Sequence, residues 1–363
     1  MLPQVLKKGD LSAWVGALMA GRRVAGPVRK EVSPSDGAEK FWWAVLEDPA
    51  DLRLDYDLTV LSPKKFLWPA RQDLVRYRLD PADPRPEPVL EHEPTVLFGV
   101  HPCDITAIGT LDAAFGRDVP DPHYLAQRAD TAIVGVECEK PCHESSFCLD
   151  MQSLYPEAGY DLMLTDLGDA YFVEVKTAAG QSLLEEAAVE PADQDRLAAR
   201  LKFAERKREN FHFRLPFEVK YLPQVLDVSY DSLVWEAIAR RCFSCGSCNT
   251  TCPTCYCFDV TDRIADDLKG GTRVRRYDSC QLDPFALVAG GENFRESRAS
   301  RLRHRMFRKG KFILERTGQP GCVGCGRCER ACIANISIRD TFVQIAGSGA
   351  GFAPAEQESR DRG

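Results

Sequence analysis

The sequence predicts an α/β domain over residues 1–225, a mostly helical C-terminal domain over 226–340 and a mobile tail over 341–363. Three observations carry this reading. TVLFGV (Thr95–Val100) and TAIVGVE (131–137) are continuous apolar runs with helical sequence between them, the pattern of neighbouring strands buried on both faces of a parallel sheet. Cysteines at short regular gaps crowd residues 242–257 and 322–332, where no such strand pattern occurs. Past Ile338 the chain turns small and charged, ending in GSGAGFAPAEQESRDRG, with little to bury.

A chain of 363 residues with 44% apolar content is long enough for two domains with cores. No apolar run reaches the roughly 18 residues that span a bilayer. Near the N-terminus Lys7 and Lys8 precede an apolar patch, but Asp10 interrupts it and Leu11, Trp14, Val15 and Leu18 fall at helical spacing. An amphipathic helix packed on the first domain is the reading there, not an export signal. The net charge of −7 gives no general nucleic-acid footprint.

After that helix, GRRVAGPV turns into a strand, and the aromatic patch around Trp42 and Trp43 reads as core or interface. LTVLSPKKF reads as a short strand entering a loop, with Lys64 and Lys65 solvated. The proline-rich residues 80–94 read as an extended surface connection. DLMLTDLGDAYFVEV is a hairpin turning at Leu167, Gly168 and Asp169. The polar stretch ending in KFAERKREN is a helix lying across the domain surface, and LPFEVKYLP is a last strand. From Asp231 a helix, SLVWEAIARR, leads into the first cysteine run.

That run, CFSCGSCNTTCPTCYC, and its later partner, CVGCGRCERAC, each hold three cysteines at two-residue gaps and a fourth after a three-residue gap. This is the ligand pattern of two-cluster ferredoxins, in which each run gives three thiolates to one [4Fe–4S] cube and its fourth to the other. On that rule Cys242, Cys245, Cys248 and Cys332 hold one cluster, and Cys322, Cys325, Cys328 and Cys252 hold the second. Small residues at Gly246, Ser247, Gly324 and Gly326 let the backbone approach the cube closely. The fold class is therefore an α/β N-terminal domain with a mostly helical, ferredoxin-like dicluster C-terminal domain carrying a long insert. Two zinc ribbons would instead want separated CxxC pairs. Fifteen clustered cysteines fit thiolates held by metal in a reducing, cytoplasmic compartment.

The remaining cysteines form two groups. Cys103 follows the first buried strand, and Cys138, Cys142 and Cys148 follow the second. Carboxyl ends of parallel strands share one edge, where such folds place their sites, so these four are candidates for a third [4Fe–4S] cluster. The bland alternative is that Cys103 and Cys138 are small packed residues. His101, His123 and His143 lie nearby and read as packed or exposed rather than as replacement ligands. Cys255, Cys257 and Cys280 fit no standard run, and two readings stay open: a further cluster with one foreign ligand, or packing around the two cubes.

The segment ENFRESRASRLRHRMFRKGKF holds eight arginines and lysines against one acid, Glu296, between Arg295 and Lys311. Three readings compete: a solvated basic helix, a segment that offsets anionic clusters and docks an acidic partner, or a nucleic-acid contact. The second suits a thiolate-rich domain best.

Taken together, GPV near the N-terminus, LSPKKFLWP, GVHPCDITAI, DPHYLAQR, the pair Phe147 and Cys148, CPTCYCFDV, YDSC and GENFRESRASRLRHRMFRKGKF resemble the 4Fe–4S dicluster β-subunit family. That family includes β subunits of NAD(P)-linked nickel–iron hydrogenases, or sulfhydrogenases, and the corresponding iron–sulfur component of anaerobic sulfite reductase. The resemblance covers nearly the whole chain, from about residue 15 to 340. It departs at Glu144, Ser145 and Ser146, where some relatives carry a further cysteine, which leaves Cys103 as the replacement ligand. The resemblance implies a cytoplasmic, hetero-oligomeric electron-transfer subunit without catalytic residues of its own. It relays single electrons between a subunit with FAD and [2Fe–2S] that handles NAD(P)H and a catalytic partner. For that partner, a nickel–iron hydrogenase is the first expectation, with a sulfite reductase or a heterodisulfide-reductase-linked system as alternatives. Consistently, the sequence has no GxGxxG, P-loop or GxSxG. A third cysteine group that performs sulfur chemistry, and a nucleic-acid-binding iron–sulfur protein, are the readings outside this class.

Overall fold

The computed structural model describes residues 2–32, 39–79 and 85–348. Its strands are β1 (Gln4–Lys7), β2 (Arg23–Val32), β3 (Glu39–Val45), β4 (Arg71–Arg78), β5 (Pro86–Pro88) and β6 (Thr95–Val100), followed by β7 (Thr131–Val136), β8 (Leu162–Asp166), β9 (Ala170–Val175), β10 (Val189–Pro191), β11 (Phe258–Ile264) and β12 (Gly270–Tyr277). An eight-stranded sheet has the order β10-β1-β9-β8-β7-β6-β2-β3. The pairs β2 with β6, β6 with β7 and β7 with β8 are parallel, and the flanking pairs are antiparallel.

Alternation along β6 shows why its run is apolar throughout. Val96 and Phe98 pack on one face with Trp14, Val15 and Leu18 of the helix Leu11–Met19. Leu97 packs on the other with Ile105, Ile108 and Leu111 of the helix Pro102–Gly116. Both faces are covered, so neither can be polar. The helix starts directly after β6 with proline in its first turn, which puts Cys103 at the carboxyl edge of the sheet. Cys138 follows β7 at the same edge.

A third core is helical. Leu222, Leu226, Trp235, Ile238, Leu302, Met306, Phe307, Phe342 and Ile345 are buried together with Phe147 and Met151. The helix Arg298–Phe307 is capped by Ser297, whose hydroxyl accepts from Ser300 N at 3.0 Å. It continues through a wider π turn, Arg308–Phe312, into the helix Ile313–Thr317. Gly310 in that turn is needed for close approach, because a Cβ there would stand 2.6 Å from Leu226 Cδ1.

Several elements differ from the sequence expectation. The long insert is not helical throughout: β11 and β12 form a hairpin that pairs with β4 and β5 in a four-stranded antiparallel sheet, order β11-β12-β4-β5. The alternating, β-branched character of FDVTDRI favours this, and the ladder partner comes from the first half of the chain. LPFEVKYLP is not a strand but a 3₁₀ turn, Val219–Tyr221, running into the helix Leu222–Val228. Pro223 suits that helix start, and Leu222, Val225 and Leu226 bury at helical spacing. LTVLSPKKF gives a 3₁₀ turn, Pro63–Phe66. Of the expected proline-rich connection, residues 80–84 lie outside the described residues, and Pro86–Pro88 is an edge strand, where proline is tolerated. Residues expected in the mobile tail begin instead as the helix Ile338–Ser348, because Phe342 and Ile345 are buried on one face; the tail from 349 onward lies outside the described residues.

Candidate iron–sulfur centres

The two cysteine runs repeat one backbone path. Ser244 and Gly324 have φ of 52° and 65°, and Gly246 and Gly326 both have φ of 79°, each pair at equivalent positions. Ser244 N points at Cys242 Sγ and Gly324 N at Cys322 Sγ, both at 3.4 Å. A short helical turn follows in each, Ser247–Thr250 and Arg327–Arg330. Left-handed residues curl the chain so that its amides face sulfur, the arrangement a cube's anionic ligands require.

The turns bring the cysteines together across the runs. Cys242, Cys245 and Cys248 share one cavity with Cys332 of the second run. Cys322, Cys325 and Cys328 share another with Cys252 of the first. Arg305 lines both cavities. Burial holds the Cys248 and Cys322 thiols up at about 12, so metal must displace their protons. Exposed Cys245 is lowered instead, by its contact with Ser247.

Around these cavities lie buried cations whose hydrogen-bond acceptors are all uncharged. Arg305 donates from Nε to Asn249 Oδ1 at 3.0 Å and from Nη2 to Cys248 O at 3.4 Å. Lys309 donates to Thr254 Oγ1. Lys64 donates to the carbonyls of Cys252 and Cys255 at 2.9 and 2.8 Å. Burial depresses Lys64, whereas at Lys309 the opposing burial is outweighed by Cys252 and Cys255, which raise it. An unpaired buried charge is costly, and thiolate-ligated clusters carry the negative charge that would offset these three. The donor set and its surroundings therefore fit [4Fe–4S] groups. Of the three readings of the basic segment, a solvated helix is ruled out, as Arg301, Arg305 and Lys309 are buried. The expectation of solvated lysines fails at Lys64, and Lys65 donates to Trp43 O at 2.6 Å.

Cys103, Cys138, Cys142 and Cys148 gather beside the second cavity. Cys142 Sγ lies 3.6 Å from His101 Nδ1, and the ligand atoms of His101, Cys138 and Cys142 lie within 4.8 Å of one another. Cys148 is within hydrogen-bonding reach of Cys103 and donates to Gly324 O at 3.3 Å. Cys103, Cys148, Val323 and Cys325 are buried as one group, with Cys138 packed against it. His101 stacks on Tyr56, centroids 4.0 Å apart. His143 bonds Ser145, and His123 sits away from the group, with Nε2 at 3.2 Å from Leu74 O.

The other three cysteines are divided. Cys255 contacts Cys252, and Cys257 contacts Cys280. Cys280 accepts from Asn249 Nδ2 at 3.0 Å, and its contact with Cys257 leads the causes that lower it to about 5. Among the described residues, no compact trio of these sulfurs forms of the kind seen at His101, Cys138 and Cys142.

Sequence reasoning missed the roles of Lys64, Asn249 and the buried pair of Arg327 with Asp104. Each sits beside a cysteine in the chain or inside a quoted motif, but only folding shows which charge is buried.

Paired cavities, each completed by the other run's fourth cysteine, define an iron–sulfur protein with a dicluster domain. Residues 241–336 match the family described as 4Fe-4S dicluster domain. The chain is 34% identical over 316 residues to sulfhydrogenase 2 subunit beta of Pyrococcus furiosus, covering 86% of this chain and 89% of that relative. It belongs to this 4Fe–4S dicluster β-subunit family. No solved structure matches it.

Proposed function

We propose that the chain is the iron–sulfur electron-transfer subunit of a cytoplasmic, hydrogenase-type complex. It relays single electrons between an FAD- and [2Fe–2S]-containing subunit that handles NAD(P)H and a nickel–iron catalytic subunit. The observation that carries the reading is the continuity of its cysteine groups: Cys103 and Cys148 pack on Cys325 of the second cavity, and the second and first cavities share Arg305. No helix among the described residues is long and apolar enough to cross a membrane.

In this reading Cys242, Cys245, Cys248 and Cys332 hold one [4Fe–4S] cluster, and Cys322, Cys325, Cys328 and Cys252 a second. Cys103, Cys138, Cys142 and Cys148 hold a third. Such clusters, when bound, exchange one electron with little movement of their ligands, over potentials from roughly −700 to +450 mV. The residues of the chain orient thiolates, exclude water around the second cavity and offset charge through Arg305, Lys309 and Lys64. Cys255 and Cys257 with Cys280 complete the packing around them.

Iron and acid-labile sulfide counts on anaerobically purified protein test this. Three cubes support the full assignment, two remove the first-domain cluster, and none overturns the reading. Co-purification of a sirohaem subunit or a heterodisulfide-reductase subunit in place of a nickel–iron subunit would move the protein to the corresponding alternative complex.

A further inference from the structure

The internal repeat supplies its own control. Over the second cavity the first domain lays down residues 143–148: Phe147 N donates to Gly324 O at 2.8 Å, and Ser146 Oγ donates to Cys325 O at 3.3 Å. Val323 is 2% exposed there, and Cys325 and Pro253 are buried. At the first cavity Ser279 and Leu282 lie against Gly246, and Arg301 reaches Ser244 Oγ at 3.5 Å, but the tip of the turn is left uncovered among the described residues. Phe243, the counterpart of Val323, is 66% exposed, and Ile333, the counterpart of Pro253, is 78% exposed. Cys245, the counterpart of Cys325, is exposed. Phe243 and Ile333 line the same cavity, so they form one apolar site rather than scattered surface residues.

Arg240, Arg241 and Arg298 put exposed positive charge on the rim of this face although the chain is acidic overall, while Asp283, the nearby acid beside Ser244, is held by Arg301. Arg240 and Arg241 are exposed just before Cys242, and exposed Arg298 donates to Cys242 O at 3.3 Å. Residues 240–251 and 330–339 contain no aspartate or glutamate, against a net charge of −7 for the chain.

We propose that this face is the docking site for a partner protein with an apolar centre, an acidic rim and its own redox centre close behind. It would cover Cys245 as Phe147 and Cys148 cover Cys325. The proposal rests on the reading of this cavity as a cluster site. A second copy of this chain is disfavoured as occupant, because two basic rims would face each other. The face is then where electrons enter or leave the protein, at the end of the cysteine series remote from Cys103.

The test uses the full chain reconstituted with iron and sulfide, reduced either by dithionite or by a reduced acidic [2Fe–2S] ferredoxin as protein probe, and followed by stopped flow. Arg240→Glu with Arg241→Glu, and separately Ile333→Asp, should slow reduction by the ferredoxin at least tenfold. Reduction by dithionite, whose active radical anion carries a single charge, should slow by no more than about twofold in the charge-reversed protein. Raising the salt should slow the ferredoxin reaction of the parent chain far more than the dithionite reaction. Ferredoxin rates indifferent to the charge reversal and to salt would overturn the proposal. So would a dimer in sedimentation that the charge reversal dissociates, since a second copy would then own the face. A protein that shows no cluster signal by electron paramagnetic resonance after dithionite would overturn the cluster reading itself, a failure distinct from a lost docking effect.

Discussion

Arg327 and Asp104 form a bidentate ion pair, both hydrogen bonds 2.7 Å long, with side chains 1% and 0% exposed. Arg327 lies between Cys325 and Cys328, and Asp104 follows Cys103, so the pair ties the second cysteine run to the carboxyl edge of the sheet. Arg327 also donates to Thr59 O at 3.1 Å. Removing one partner leaves the other buried and unpaired, which costs about 3–5 kcal/mol. Asp104→Asn should lose stability of that order in chemical denaturation. Replacing both, Asp104→Leu with Arg327→Met, should recover most of it. A loss under about 1 kcal/mol for Asp104→Asn would show that the pair is already open to water.

Arg305 lines both cavities and has uncharged acceptors, so its charge acts on whatever the two cysteine sets hold. A nearby cation favours the more reduced, more negative state. Arg305→Gln should lower the reduction potential of both clusters, by about 59 mV for each tenfold change in the one-electron equilibrium. Potentiometric titration followed by paramagnetic resonance reads both centres, and Arg305→Lys should restore much of the shift. A shift in only one centre would mean that the guanidinium serves one cavity alone.

The central parallel strands and the cysteine runs were legible in the sequence, and the reason is periodicity. Thr95–Val100 and Thr131–Val136 announced themselves by being apolar at almost every position, and they are adjacent parallel strands. The hairpin at residues 162–175 followed from its glycine turn. The ligand runs were legible because a cube fixes local spacing. What stayed hidden was long-range. Nothing local in FDVTDRI says that its hairpin will extend a sheet begun by Arg71–Arg78. Lys64 looked solvated because one lysine reads like another until Cys252 and Cys255 turn their carbonyls toward it. In the basic stretch after Arg295 a role beside anionic clusters was legible from composition, but only folding shows which charge reaches them: Arg298 is exposed, Arg301 is buried against Asp283, and Arg305 lines both cavities.

Gly324 separates steric from ligand effects. Its φ is 65°, and a Cβ would stand 2.6 Å from the carbonyl carbon and oxygen of Phe147 and 2.7 Å from Cys148 N. Gly324→Ala must push residues 146–148 off the second run, which breaks the bond from Phe147 N to Gly324 O. The iron content should fall by about one cube as the first-domain group loosens, with the dicluster signals retained. The matching change at Ser244, to Ala, should leave iron content intact, since a side chain already stands there in the same left-handed conformation. Equal losses at both positions would mean that the conformation, and not the covering loop, is what matters.

His304 gives the protein a built-in acid sensitivity. It sits half-buried on the helix Arg298–Phe307, and burial first, then the Arg295 and Arg308 charges, lower it to about 4 from an ordinary value near 6.5. The sign follows from proton counting. Between about pH 6.5 and pH 4 the unfolded chain binds a proton at this residue and the folded chain does not, so acid favours unfolding. Stability should therefore fall as pH drops through that window and level off below about 4, where both states are protonated. His304→Gln keeps the size and removes the titration, so the same denaturation series should lose that part of its slope. Parent and variant curves that stay parallel from pH 7 to pH 4 would assign the acid response to other groups.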